Sequence, residues 1–186
     1  RPNFYTLYYL FKIIFYYFKG DNMLLNKIYK LFVSKGIKVI DSRKILNRNL
    51  ANTKNNNLIM FKKNINLNQI KCNFNQAKKI GSKDNGQAII TQGNEVILKE
   101  DRNGTDNLIL RYKNLNRKDK FSLLVKTAKP NQNLSLDLPT IGPRTILNIY
   151  KAKIKGIIIE KNKTFIVNPQ ETFKLIKKYK IFYYAY

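Results

Sequence analysis

Histidine and tryptophan are both absent from the 186 residues, and Cys72 is the only cysteine. A single thiol excludes an intrachain disulfide and a four-cysteine zinc site. The lack of histidine removes Ser-His-Asp and Cys-His catalysis, and with them every histidine-ligated metal centre. Any chemistry falls to carboxylates, lysines, hydroxyls and backbone amides, which points to oxygen-ligated hard cations and carboxylate bases. Acids are scarce as well, with 11 Asp and Glu against 36 Lys and Arg. Long apolar runs are missing too. The longest, Phe4 to Phe18, is interrupted by Lys12 and rich in tyrosine, short of the ~20 uncharged residues of a spanning helix. It reads as a soluble amphipathic segment. No small-residue cleavage site follows it, so a cytoplasmic chain without a signal peptide is expected. The chain opens on Arg1 rather than methionine and reads as a fragment.

A net charge of +25 invites a nucleic-acid reading, because basic surfaces release counterions on meeting phosphate. Its distribution argues against one. Lys and Arg recur along the whole chain, with no arginine-rich block, zinc finger or aromatic ribonucleoprotein motif. The excess of Lys, Asn, Ile, Tyr and Phe is what an AT-rich genome imposes on any protein. No internal repeat is visible.

Apolar spacing predicts helices over Leu7–Phe18, closed by Gly20, and Met23–Ser34, capped by Asp21 and stopped at Gly36. Ile37–Ile40 then reads as a short buried strand, so residues 1–52 are expected to be the tail of a Rossmann-like α/β domain. The Asn- and Lys-rich stretch from Thr53 to Asn68 reads as a linker leading into a helix over Leu67–Ile80, so that 53–80 connects two domains. Residues 81–186 are expected to form an α/β domain with a mixed sheet. Gln87–Thr91 and Glu95–Glu100 form a hairpin there, Asn107–Tyr112 a helix, Phe121–Thr127 a strand and Arg144–Ala152 a helix. Gly156–Glu160 and Thr164–Val167 are expected to pair around Asn162, followed by a helix over Glu171–Tyr179 and a strand over Ile181–Tyr184.

Three polar segments at strand ends or in turns could present side chains to a ligand. Asn103-Gly104-Thr105-Asp106 offers close backbone approach, a hydroxyl, and an acid suited to a cation or a helix cap. Lys126-Thr127-Ala128-Lys129-Pro130 brings two lysines off an apolar strand, able to hold phosphate or simply to be solvated. Asp137-Leu138-Pro139-Thr140-Ile141-Gly142-Pro143 is a stiff turn before a helix whose N-terminus favours an anion. Its Asp137 and Thr140 could equally be turn and cap residues.

In this order the three segments resemble the LpxI-type UDP-2,3-diacylglucosamine pyrophosphatase family of lipid A biosynthesis. That family carries a Glu-Gly-Thr-Asp tetrapeptide, then a Lys-Pro segment leading into Asp-Leu-Pro-Thr-Ile-Gly. Gly104-Thr105-Asp106, Lys129-Pro130 and Asp137 through Gly142 match. So do Gly86-Gln87-Ala88, Glu100 and Gly156 to Glu160, and upstream Arg1-Pro2 and Gly20-Asp21-Asn22. Asn103 stands where the family usually has Glu, Asn22 where it often has Asp, and Asn133 and Ser135 replace an acid and a base.

The resemblance implies hydrolysis of UDP-2,3-diacylglucosamine to UMP and 2,3-diacylglucosamine 1-phosphate, with Mg²⁺ or another divalent cation. By the same resemblance Asp137 and Lys129 are catalytic. Asp137, Asp106 and Glu100 hold metal, and Gly104, Thr105, Lys126, Thr140 and Gln87 bind substrate. It also implies peripheral contact with the inner face of the inner membrane, no nucleic acid, and a homodimer as a candidate assembly. Two rival readings are a relative that kept the fold and lost the reaction, on the strength of Asn103, and a basic nucleic-acid-binding module, on charge alone.

Overall fold

The computed structural model describes residues 3–17, 21–82, 86–116, 121–130 and 132–186, and the chain divides into two units. The first comprises Arg1–Ile45 with Gln132–Asp137, and the second Leu46–Asn131 with Leu138–Tyr186. In the first, α1 (Phe4–Tyr17) and α2 (Asp21–Ser34) pack against each other, followed by the short α3 (Ser42–Ile45). Lysines ride on tyrosine faces, with Lys12 Nζ 4.3 Å from the Tyr8 ring centroid and Lys27 Nζ 5.0 Å from that of Tyr16. Ile37–Ile40 is not a strand. A strand needs a ladder partner, and no described strand runs beside it. Arg1-Pro2, Phe18 and Gly20 lie outside the described residues, as do the side chains of Asp21 and Asn22.

The second unit is built on a five-stranded mixed sheet in the order β2-β1-β3-β5-β7. Its strands are β1 (Ala88–Gln92), β2 (Glu95–Lys99), β3 (Ser122–Lys126), β5 (Gly156–Ile159) and β7 (Phe182–Ala185). The β1–β2 hairpin turns at Gly93-Asn94, where Gly93 takes φ +60° at no steric cost. β1 is antiparallel to β2 and β3, whereas β3, β5 and β7 run parallel. Strands β1, β3 and β5 are buried along their whole length, as their near-continuous apolar sequences require when both faces of a sheet are covered.

On one face lie α5 (Gly104–Asn114), α6 (Pro143–Lys151) and α7 (Pro169–Lys178), through Leu108, Ile146, Ile149 and Ile176. On the other lies α4 (Leu67–Gly81), through Ile70, Phe74 and Ala77. Gly156 is required where β5 meets β7, since a Cβ there would fall 2.5 Å from Phe182 Cβ.

Two further expectations are corrected. Residues 53–80 do not link two domains but belong to the second unit, whose boundary falls at Ile45/Leu46. The reason lies at the sheet edge: β7 is an outer strand, and its exposed backbone groups need partners. Asn57 Oδ1 accepts from Tyr183 N–H and Asn56 Oδ1 from Ala185 N–H, both at 2.8 Å. Their side-chain amides return bonds to the carbonyls of Ile181 and Ala185. The asparagines of the supposed linker therefore close the edge of the sheet, and Phe61 beside them packs on Phe182.

The strand pairing differs as well. β5 pairs with β3 and β7, while β6 (Phe165–Ile166) pairs in parallel with β4 (Thr140–Ile141), inside what reads from sequence as a turn. No described helix is long and apolar enough to cross a membrane.

Candidate active site at the carboxyl edge of the sheet

The parallel strands β3, β5 and β7 end on one edge of the sheet. Because β1 runs the other way, its first residues and the end of β2 lie on that edge too. Open α/β sheets bind ligands at such carboxyl ends. Here the edge gathers Gln87, Glu100, Lys126 to Pro130 and Glu160, with α5 beginning at Gly104.

Glu100 anchors the first cluster. Its Oε2 accepts from Gln87 N–H at 2.6 Å and its Oε1 from the Thr105 hydroxyl at 2.5 Å. Lys126 Nζ donates to Thr105 Oγ1 at 3.0 Å and to the Thr140 carbonyl at 3.1 Å. Glu100 is 7% exposed and Lys126 8%. Charges so buried are tolerated only when paired and hydrogen-bonded, and the Thr105 hydroxyl is the relay that joins these two. Gly86 makes the approach feasible. It adopts φ +100°, and a Cβ there would fall 2.7 Å from the Glu100 carbonyl. Gly104 adopts φ +80° beside open space. Gln87 Oε1, just before β1, and Thr127 Oγ1, just after β3, are buried without a hydrogen-bond partner in the structure.

A second cluster lies beside the first. Glu160, at the end of β5, accepts from Lys78 Nζ at 2.6 Å, Lys163 Nζ at 2.8 Å and Ala128 N–H at 2.9 Å. Burial opposes its ionisation, yet the bonds from Lys163, Lys78 and Ala128 prevail and hold its pKa below the ordinary glutamate value. Sequence reading gave Glu160 only the end of a strand and gave Lys78 no role. The available signal was an acid directly following the buried Ile157–Ile159 run, in a chain with few acids.

The structure thus joins Glu100, Gln87, Gly104, Thr105, Lys126 and Thr140, and places Lys129 on the turn leaving β3. Asp106 is directed elsewhere: its Oδ1 accepts from Asn148 at 3.0 Å and its Oδ2 pairs with Arg144 at 3.1 Å, both on α6. Asp137 belongs to the first unit, where its Oδ2 accepts from Gln132 Nε2 at 2.5 Å and its N–H donates to the Asn133 carbonyl at 3.1 Å.

Among the described residues no group of three acid or thiol side chains is gathered to hold a metal ion. Both oxygens of Glu100 and of Asp106 already accept protein donors. The described residues therefore do not fit an all-protein metal cage. What the edge offers is a fixed cation, Lys126, held by an oriented hydroxyl, with Lys129 on the adjoining turn, groups suited to an anionic ligand.

A protein-family model described as the LpxI C-terminal domain matches residues 57–184. UDP-2,3-diacylglucosamine pyrophosphatase LpxI of Caulobacter vibrioides is 32% identical over 98 residues, which make up 50% of this chain and 35% of that protein. The match thus spans about a third of the length of that curated relative. The matched region contains the whole five-stranded sheet apart from the last residue of β7, and both clusters on its carboxyl edge, so this chain belongs to the LpxI C-terminal domain family.

Proposed function

We propose that the chain hydrolyses the pyrophosphate bond of UDP-2,3-diacylglucosamine, yielding UMP and 2,3-diacylglucosamine 1-phosphate. The observation that carries this reading is the buried Glu100–Thr105–Lys126 relay, set at the carboxyl edge within the family-matched region. Family membership and the name of the Caulobacter relative support the substrate.

In this reading Lys126 and Lys129 offset the negative charge that builds on the pyrophosphate oxygens. Thr105 holds the Lys126 ammonium in place, Gly104 leaves open space beside it for the substrate, and Gln87 offers a buried amide oxygen to a substrate hydroxyl or N–H. The attacking water gives its oxygen to phosphorus and a proton to a carboxylate base, the role that the family resemblance assigns to Asp137, while the bridging P–O bond breaks and its oxygen leaves on the other phosphate. Mg²⁺ or another divalent cation would come bound to the pyrophosphate itself and would offset its charge, since Mg²⁺ commonly keeps its waters and uses substrate phosphates with few carboxylates. The chain works in the cytoplasm against the inner face of the inner membrane, where its basic surface favours anionic lipid.

Phosphorus NMR of a reaction mixture tests the reading. It requires resonances of UMP and of a sugar 1-phosphate to grow together, and the appearance of UDP instead would place the broken bond elsewhere.

A further inference from the structure

The backbone of Ala128 is gripped on both sides. Its N–H donates to Glu160 Oε2 at 2.9 Å, its carbonyl accepts from Lys78 Nζ at 2.9 Å, and the two gripping side chains are themselves joined at 2.6 Å. The ring closes across three elements: the last turn of α4, the end of β5 and the turn leaving β3. Lys163 Nζ holds the other Glu160 oxygen at 2.8 Å.

Such an arrangement is poorly explained as a source of stability, because buried ion pairs are often no better than apolar residues of similar volume. Its position explains it better. The next residue is Lys129, and Pro130 behind it confines Lys129 to extended backbone. The end of α4 also packs here, for a Cβ on Gly81 would lie 3.7 Å from Lys129 Cα. The base of the Lys129 side chain is thus fixed by the grip on one side and the proline on the other.

We propose that Lys78 and Glu160 are positioning residues, which fix the Ala128 backbone and so aim Lys129 at the pyrophosphate without touching it themselves. This rests on the pyrophosphatase reading, and the test separates the two. Four forms of the whole chain are compared: wild type, Lys78→Met/Glu160→Gln, Lys129→Ala, and the three substitutions together. Amide hydrogen exchange at Ala128 and calorimetric binding of inorganic pyrophosphate are measured on each.

The grip predicts Ala128 exchange about tenfold faster in the double variant, with amides of β1 and β5 unchanged. It predicts pyrophosphate affinity down by about tenfold, and no further loss when the double change is added to Lys129→Ala, because residues acting through one another are not additive. Lys78→Arg, which keeps the donor, should restore both readouts. Unchanged exchange at Ala128, or losses that simply add to that of Lys129→Ala, would overturn the proposal. If the double variant fails to fold, Glu160→Gln alone is held to the same criteria. If the wild type binds no pyrophosphate, the functional reading fails, and exchange at Ala128 alone then decides whether the grip exists.

Discussion

Lys126 Nζ stands 3.0 Å from Thr105 Oγ1, although the two residues come from a central strand and from the start of a helix 21 positions earlier. The same hydroxyl donates to Glu100 at 2.5 Å, so its proton is committed to the carboxylate and one of its lone pairs to the ammonium. Substituting any one of the three leaves a buried polar group without its partner.

Lys126→Met keeps the length and most of the packing of the side chain while removing the charge. Turnover should fall by about 10² or more, the scale for losing a preorganised electrostatic contact. Stability should fall by about 3 kcal/mol, since the Glu100 carboxylate loses its nearby counter-charge. Kinetics with urea denaturation checks both, and a variant with near-normal turnover would remove Lys126 from the site.

Gly86→Ala should be costly although it adds one methyl group. The backbone there sits at φ +100°, and the new Cβ would meet the Glu100 carbonyl at 2.7 Å. A loss of at least about 1–3 kcal/mol is expected from backbone strain alone. A denaturation midpoint equal to that of wild type would show that the Gly86–Glu100 approach is not as tight as described.

Stability should also decline in acid through Glu160. Its folded pKa lies below the ordinary value, so the ionised form stabilises the fold fully above the unfolded glutamate pKa of about 4.3. That contribution is lost as pH falls from there through the folded pKa. The difference in unfolding free energy between wild type and Glu160→Gln should therefore be largest near about pH 7 and shrink below about pH 4.3. A difference independent of pH would mean that another group dominates.

Helices and strands of the second unit were legible wherever apolar period and punctuation agreed, as in α4 from Leu67 to Gly81 and the hairpin around Gly93. Pairing was not. Alternation marks Phe165-Ile166 as strand but does not reveal that β4, rather than β5, is its partner. Asn56 and Asn57 read as loop residues because their value lies in bonds to β7, 129 and 126 positions away. At the candidate site, the family motifs marked the segments of Glu100, Thr105 and Lys126, which meet at the edge of the sheet, but not side-chain directions. Adjacent helical residues point about 100° apart, so Thr105 reaches the edge of the sheet while Asp106 turns to α6. The grip on Ala128 left no motif, because it is made by single residues from three elements.

Asp137 is the sole acid in the most specific of the motifs, flanked by Pro139 and Pro143. Asp137→Asn preserves size and an acceptor for Gln132 while removing the charge. UMP release should drop by about 10² or more, as for a lost general base, with the melting temperature unchanged. Normal turnover would leave Asp137 as a turn residue.

The central claim is tested most directly by following UMP release from UDP-2,3-diacylglucosamine by the purified chain with Mg²⁺ present. The account predicts UMP formation that depends on protein concentration and is suppressed by Lys126→Met to a small fraction of the wild-type rate. Wild-type protein that is folded yet releases no UMP above the uncatalysed background would contradict it.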